Sequence, residues 1–136
     1  MPEYNIEVKG PLFTSGAPLI MNQAVRDAEE AVADETRRRV KLAGQTAFRY
    51  DSVPRRGYYP GNWLRHVYSE AKVGYHQVGD SGIIYGHWLE GTGSRNRTTR
   101  FKGYFMWRKT YQEMNRTGAL QVAAPIIRRA VQVLNG

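Results

Sequence analysis

Cysteine is absent from all 136 residues. That excludes disulfides, thiolate zinc sites, iron–sulfur clusters and a cysteine nucleophile together, and it fits folding in a reducing compartment. Long apolar runs are missing too. No stretch approaches the ~20 residues that span a bilayer, and the N-terminus lacks the basic segment plus apolar core of a secretory signal. The expectation is a soluble protein with no membrane contact. Negative charge is missing after Gly91: residues 1–90 hold 11 Lys/Arg against 11 Asp/Glu, whereas 91–136 hold 9 against Glu113 alone. The whole net charge of +8 therefore belongs to the last third of the chain. A surplus so confined points to a surface that meets something acidic, or that a partner subunit neutralises.

The marks of catalysis are also lacking. The three histidines, His66, His76 and His87, have no metal ligands at fixed spacing. His87 and Glu90 stand three apart, but one histidine and one carboxylate do not make a zinc site. Most acids lie on the first helical segment beside basic residues, so no two carboxylates are set apart for acid–base work. Gly91-Thr92-Gly93-Ser94-Arg95 lacks the Walker spacing, and no nucleophile elbow surrounds any serine. No cofactor, metal or enzymatic activity is expected, and a small hydrolase ranks last.

What is present suffices for one ordinary core. With 41% hydrophobic residues, 12% aromatics and a mean hydropathy of −0.59, 136 residues fit a single domain with a wet exterior. Tyr4, Ile6 and Val8 alternate with polar residues, which predicts an arm or edge strand within 1–17. From about Pro18, Val25, Ala28, Val32, Thr36, Val40, Ala43 and Ala47 recur at three and four, predicting one long amphipathic helix. Its run Arg37-Arg38-Arg39 reads as a solvated helix face paired to Asp34 and Glu35, not as a nucleic-acid site. Residues 51–62 read as a loop, and Val67–Tyr75 as a strand that turns at Gly79-Asp80-Ser81-Gly82 into a return strand at Ile83–Tyr85. Helical spacing resumes at Lys102. Gly118 is expected to separate two helical pieces, and Pro125 to kink or start the last one. The class is α+β: a small antiparallel sheet packed by a long N-terminal helix and a C-terminal helix.

The segment Tyr85-Gly86-His87-Trp88-Leu89-Glu90-Gly91-Thr92 and the basic loop 91–101 are the richest part of the chain. Arg95, Arg97 and Arg100, set among Ser, Thr and Asn, offer charged forks with hydroxyl and amide donors, a composition suited to phosphates and carboxylates alike. The aromatics Tyr85, Trp88, Phe101, Tyr104, Phe105 and Trp107 read mainly as core or interface anchors.

Pro60-Gly61-Asn62-Trp63-Leu64-Arg65 leading into strands, then Tyr85–Thr92, a polar loop, Phe101 and a C-terminal helix together resemble the neck and tail-completion proteins of long-tailed bacteriophages. The family is often labelled putative tail component or minor tail protein, and the similarity covers roughly residues 20–135. Members usually place one residue between the Glu and the Gly-Thr, and a Pro after the polar loop. Here Glu90 abuts Gly91, and Lys102-Gly103-Tyr104 stands in place of the Pro. The resemblance implies a structural virion protein made in the host cytoplasm, a ring subunit of tail-completion or tail-terminator type joining the capsid connector to the tail tube. It also implies a homo-oligomeric, hexameric ring, contacts with other neck and tail-tube proteins, and a surface able to meet packaged double-stranded DNA. Tyr85, Trp88 and Glu90 would then position the segment by packing and by a carboxylate bond to Arg or backbone N–H. Arg95, Arg97 and Arg100 would reach a neighbour. The alternative is a sequence-independent nucleic-acid-binding module.

Overall fold

The computed structural model describes residues 16–48, 60–82 and 86–136. Helix α1 (Ala17–Phe48) is the spine. Helix α2 (Pro60–His66), strands β1 (Tyr68–Lys72) and β2 (Tyr75–Gly79), the short helices α3 (Gly86–Glu90) and α4 (Ser94–Thr98), then α5 (Met106–Glu113) and α6 (Ala119–Asn135) follow. The architecture is a small α+β fold, mostly helical, with a single antiparallel hairpin among the described residues. Helix α6 packs along α1, and the hairpin lies against α1 as well.

The helical spacing of α1 works because its apolar stripe meets different neighbours along its length. Ala24 and Ala28 are buried in the half nearer the start, and Val40 is fully buried in the other half. Small residues in the first half let α1 and α6 approach closely. The bulky core gathers at the far end, where Val40, Trp63, Val67, Leu89 and Met106 are sealed from solvent, flanked by Phe48, Trp88, Tyr104 and Trp107. Burying each of these large side chains contributes about 2–3 kcal/mol. Trp63 is 0% exposed, and its indole N–H donates to Asp80 Oδ2 at 3.0 Å, which removes the cost of burying that donor.

The arginine run on α1 is held within the fold. Glu35 accepts from Arg38 and Arg39 at 2.7–2.9 Å, while Arg37 donates to the carbonyl oxygen of Val67 and Asp34 accepts from Ser69. Asp34 is thus not the partner that helical spacing suggested. The hydrogen bond from Arg38, followed by that from Arg39, holds the Glu35 carboxyl down at about 2, against an ordinary 4.5. A depressed carboxyl stabilises the fold fully above its unfolded value and loses that contribution as pH falls from about 4.5 through about 2. Arg38 is largely in solvent, so screening leaves the pair a small contribution. Glu35→Gln should therefore lower the urea midpoint at pH 7 and converge with the parent protein toward pH 2; equal midpoints at pH 7 would dismiss the pair.

Several sequence expectations are corrected. The hairpin turns at Val73-Gly74, not at Gly79–Gly82, and its register runs Tyr68↔Gly79, Glu70↔Gln77 and Lys72↔Tyr75. Only Gly74 needs a left-handed backbone, with φ +83, so Val73 continued the alternating pattern through the turn and hid it. Gly79–Gly82 does bend the chain, but after β2: Ser81 and Gly82 both have positive φ, and Asp80 Oδ1 accepts the Gly82 N–H. Residues Pro60 to His66, expected as loop and strand approach, are helical, with Pro at the position where a missing N–H costs nothing. Gly118 does not break the last helices. The chain stays helical from Met106 to Asn135 through a π-helical turn at Met114–Gly118. A Cβ on Gly118 would sit 2.8 Å from Met114 Sδ and 3.0 Å from a guanidinium nitrogen of Arg39, both ends of flexible side chains that pack over this buried glycine. Pro125 lies inside α6, where it removes the bond to the carbonyl of Gln121, an exposed residue. The predicted N-terminal strand at Tyr4–Val8 and the return strand at Ile83–Tyr85 lie outside the described residues, as does most of the 51–62 loop.

Candidate interaction site

The stretch from Gly86 to Trp107 is a knot of short elements, and backbone polar groups decide its shape. Helix α3 is too short to satisfy its own end. The N–H groups of Gly91, Thr92 and Gly93 all converge on the carbonyl oxygen of His87 at 2.9–3.1 Å, and Thr92 Oγ1 lies 3.0 Å from His87 Nδ1. Gly91 holds φ +101 and Gly103 φ +111, and the two backbones cross so closely that a Cβ on either would collide with the other segment. Tyr104 N–H then donates to the carbonyl of Leu89 at 2.7 Å, fixing the crossing.

Glu90 does the work that the start of α5 cannot do for itself. The residue before α5, Phe105, is left-handed at φ 56 and supplies no side-chain cap. Glu90 instead reaches across: Oε2 accepts from Trp107 N at 2.8 Å and Oε1 from Arg108 N at 3.0 Å. A carboxylate on two free N–H groups at a helix start gains both the hydrogen bonds and the favourable end of the helix dipole. The partner is backbone N–H, one of the two types expected for this residue. Phe105 in turn lies under the Arg108 guanidinium, 3.9 Å from its ring centre.

The segment expected as a basic loop, 91–101, contains a helical turn, α4, organised by a residue the sequence reading had grouped with solvent-facing donors. Asn96 is 3% exposed. Its Oδ1 accepts the Gly93 N–H at 2.9 Å, and its Nδ2 donates to the carbonyls of Trp88 (3.1 Å) and Phe101 (3.2 Å). One amide thus ties α3, α4 and the strand-like return to Tyr104 together, using one acceptor and two donors. Its only advance signal is its place three residues after Gly93, the offset at which a side chain reaches back to a helix start. At the other end of α4, Lys102 Nζ donates to the carbonyls of Asn96 and Arg97, and Thr99 Oγ1 to that of Arg95. Lys102 is therefore part of the frame.

Trp88 is half-buried and packs on Phe101 with ring centres 4.9 Å apart; Phe101 meets Tyr104, and Tyr104 meets Phe48, which stands edge-on to Trp63. An aromatic chain thus runs from the α3–α4 knot to the core. Tyr85 lies outside the described residues. Arg95, Arg97 and Arg100 are exposed, and none makes an ion pair or side-chain hydrogen bond among the described residues. The one acid of this third, Glu113, stands 3.6 Å from Arg39 of α1 and so is already engaged. A shallow hollow beside Arg95 is lined by His87, Trp88, Thr92 and Ser94.

Among the described residues no three His, Asp or Glu side chains gather closely enough to hold a metal ion, and no helix is long and apolar enough to cross a membrane. Comparison of the chain with protein-family models, with curated proteins and with solved structures finds no match.

Proposed function

We propose that this protein is a structural ring subunit of the bacteriophage head-to-tail junction, of tail-completion or tail-terminator type, joining the capsid connector to the tail tube without catalysis. The resemblance of Tyr85–Thr92 and its flanks to that family suggests the role. The observation that carries it is a rigid frame presenting unpaired cations: Glu90, Asn96, Lys102 and the Gly91–Gly103 crossing hold α4 in place, while Arg95, Arg97 and Arg100 face solvent. The backbone that carries the arginines is fixed before binding, so only their side chains lose freedom on contact, and the site suits a repeated protein–protein contact. Its partners on this reading are identical subunits in a hexameric ring, neighbouring neck and tail-tube proteins, and the DNA that passes through. The protein would reside in the virion after synthesis in the host cytoplasm.

The test is Arg95→Glu/Arg97→Glu/Arg100→Glu. The variant should unfold with the same cooperativity as the parent protein, because none of the three side chains makes an internal bond. Three charge-assisted contacts of about 1.5 kcal/mol each amount to roughly 10³-fold weaker association. Particles made with it should separate into filled heads and finished tails, and normal joining would refute the role given to these arginines.

A second reading, a nucleic-acid-binding module that contacts phosphates without sequence preference, draws on the same arginines together with the exposed Lys109 and Arg116. It requires binding of the isolated protein to duplex DNA that weakens steeply with salt, and absence of binding at low salt removes it.

A further inference from the structure

We infer that neighbouring copies of this chain meet through the first half of α1 on one copy and, on the next, Arg95 and Arg97 of α4 with Arg100 just beyond it. The inference rests on the ring reading and names the surfaces that would form the contact.

The receiving surface is unusual for a protein with a net charge of +8. In the first half of α1 Asp27, Glu29 and Glu30 stand against Arg26, while Asp34 and Glu35 are already taken up by Ser69 and by Arg38 and Arg39. Asp27 accepts only from Gln23 on its own helix, and Glu29 stands 3.6 Å from His76 Nδ1. Glu30 has no bonded partner among the described residues. On either flank of this acidic crest the helix pair leaves an apolar groove. One, about 540 Å³, runs between α1, β2 and α6 and is walled by Val25, Val32, Val78 and Ile127, with Glu29 at its edge. The other, about 560 Å³, lies along the opposite side of the α1–α6 pair beside Leu19, Ile20 and Val133, with Asp27 on the α1 wall and Arg129 on the α6 wall. Leu19 is 75% and Val133 67% exposed, so apolar surface lies open along this groove.

An occupant of such grooves must be apolar along its length and cationic at its tip. Arginine has that shape: three methylenes that lie along apolar surface, and a planar fork that binds a carboxylate through two N–H groups. The chain itself supplies three such side chains on a rigid frame with no acid of their own. On one molecule the crest lies well back along α1 from the core to which α4 is joined. Helix α4 is attached through α3 to the core around Val40 and Phe48. Asp27 to Glu30 lie 10 to 21 residues earlier on α1, roughly 15–32 Å back along the helix at 1.5 Å per residue. Complementary patches at opposite ends of one subunit pair only between copies, one end against the other end of the next, which is the contact that closes rings.

A charge-swap experiment tests this. Arg95→Glu/Arg97→Glu/Arg100→Glu makes both ends acidic, and Asp27→Lys/Glu29→Lys/Glu30→Lys makes both ends basic. All six positions are exposed, and circular dichroism with thermal unfolding checks that each variant folds. In sedimentation velocity at moderate salt the parent protein should associate, each variant alone should be monomeric, and an equimolar mixture should associate again because each acidic end then meets a basic one. Neutralising Asp27→Asn/Glu29→Gln/Glu30→Gln should weaken association at least ~10-fold without repulsion, covering the case in which the lysine variant does not fold. A monomeric parent protein, a reversed variant that associates normally, or a mixture that fails to recover would overturn the contact. Recovery that stops at dimers would keep the contact and remove the ring reading. Rings indifferent to both reversals would keep the ring reading and overturn the contact.

Discussion

Gly91→Ala should lower the unfolding free energy by about 4 kcal/mol, a large part of what a domain of this size has. Two costs add. The backbone at Gly91 sits at φ +101, where an L side chain is strained by roughly 1–2 kcal/mol. The new methyl group would also collide with the Lys102 carbonyl oxygen and stand 2.7 Å from the Phe105 ring, an overpacking cost of about 1–3 kcal/mol. Gly103→Ala strikes the same crossing from the other side, since its Cβ would meet Gly91 and the Glu90 carbonyl. The two substitutions should therefore be sub-additive in urea titrations: once the crossing is lost, the second change has little left to disrupt. A loss below about 1 kcal/mol for either single variant would mean that the crossing is not the joint that fixes α4. Because the crossing also sets Glu90 against the start of α5, the same variants should expose the α5 N–H groups to faster hydrogen exchange.

Asn96→Asp comes second, with an expected cost of about 3 kcal/mol at pH 7. The aspartate keeps the acceptor for Gly93 N–H but replaces the donating amide with an oxygen that faces two carbonyl oxygens, those of Trp88 and Phe101, at a site 3% exposed. This environment raises the pKa of the new carboxyl in the folded state above its unfolded value. The folded variant then binds the proton more tightly, so its deficit should shrink as pH is lowered and the carboxyl can donate one bond. Asn96→Ala, which loses the bonds without adding charge, should cost about 2 kcal/mol and show no such pH dependence. Denaturation of the three proteins at pH 7 and pH 4 checks both claims. An aspartate variant as stable as the parent protein at pH 7 would show that the amide does not hold the segment.

Helix α1 and most of α6 were legible because their periodicity is long, although the faces are not buried throughout: Ala28 and Val40 of the α1 stripe are buried, whereas Val25 is 44% exposed beside the buried Ala24, and Leu120 and Val131 of the α6 stripe are exposed beside the buried Ala130. The confinement of positive charge after Gly91 needed no structure. The short elements were not legible. Val73 reads as strand because it is a strand former flanked by alternating residues, and a turn that needs a single left-handed glycine leaves no stronger mark. Helix α2 and the α4 turn, at 7 and 5 residues, are shorter than the two to three turns over which a helical stripe becomes visible. Gly118 reads as a breaker because glycine usually ends helices, yet here it makes room for Arg39 and Met114. At the site, the arginines and Glu90 stood out by type and position, whereas Asn96, Gly103 and Lys102 did not. Their roles consist of bonds to backbone groups that come near only after folding.

By itself, then, the amino-acid order determined which helices are long, where the net charge lies and that no cysteine is there to carry thiol chemistry, since these are properties of composition and of periodicity along one dimension. Tertiary structure alone decided that Glu90 caps a helix start 17 positions away, that Asn96 is buried, and that Arg95, Arg97 and Arg100 have no bonded partner among the described residues. Hydrogen bonds to backbone carbonyls and N–H groups carry no signature of residue type at the accepting end, so nothing short of the folded chain can show which side chain meets which peptide group.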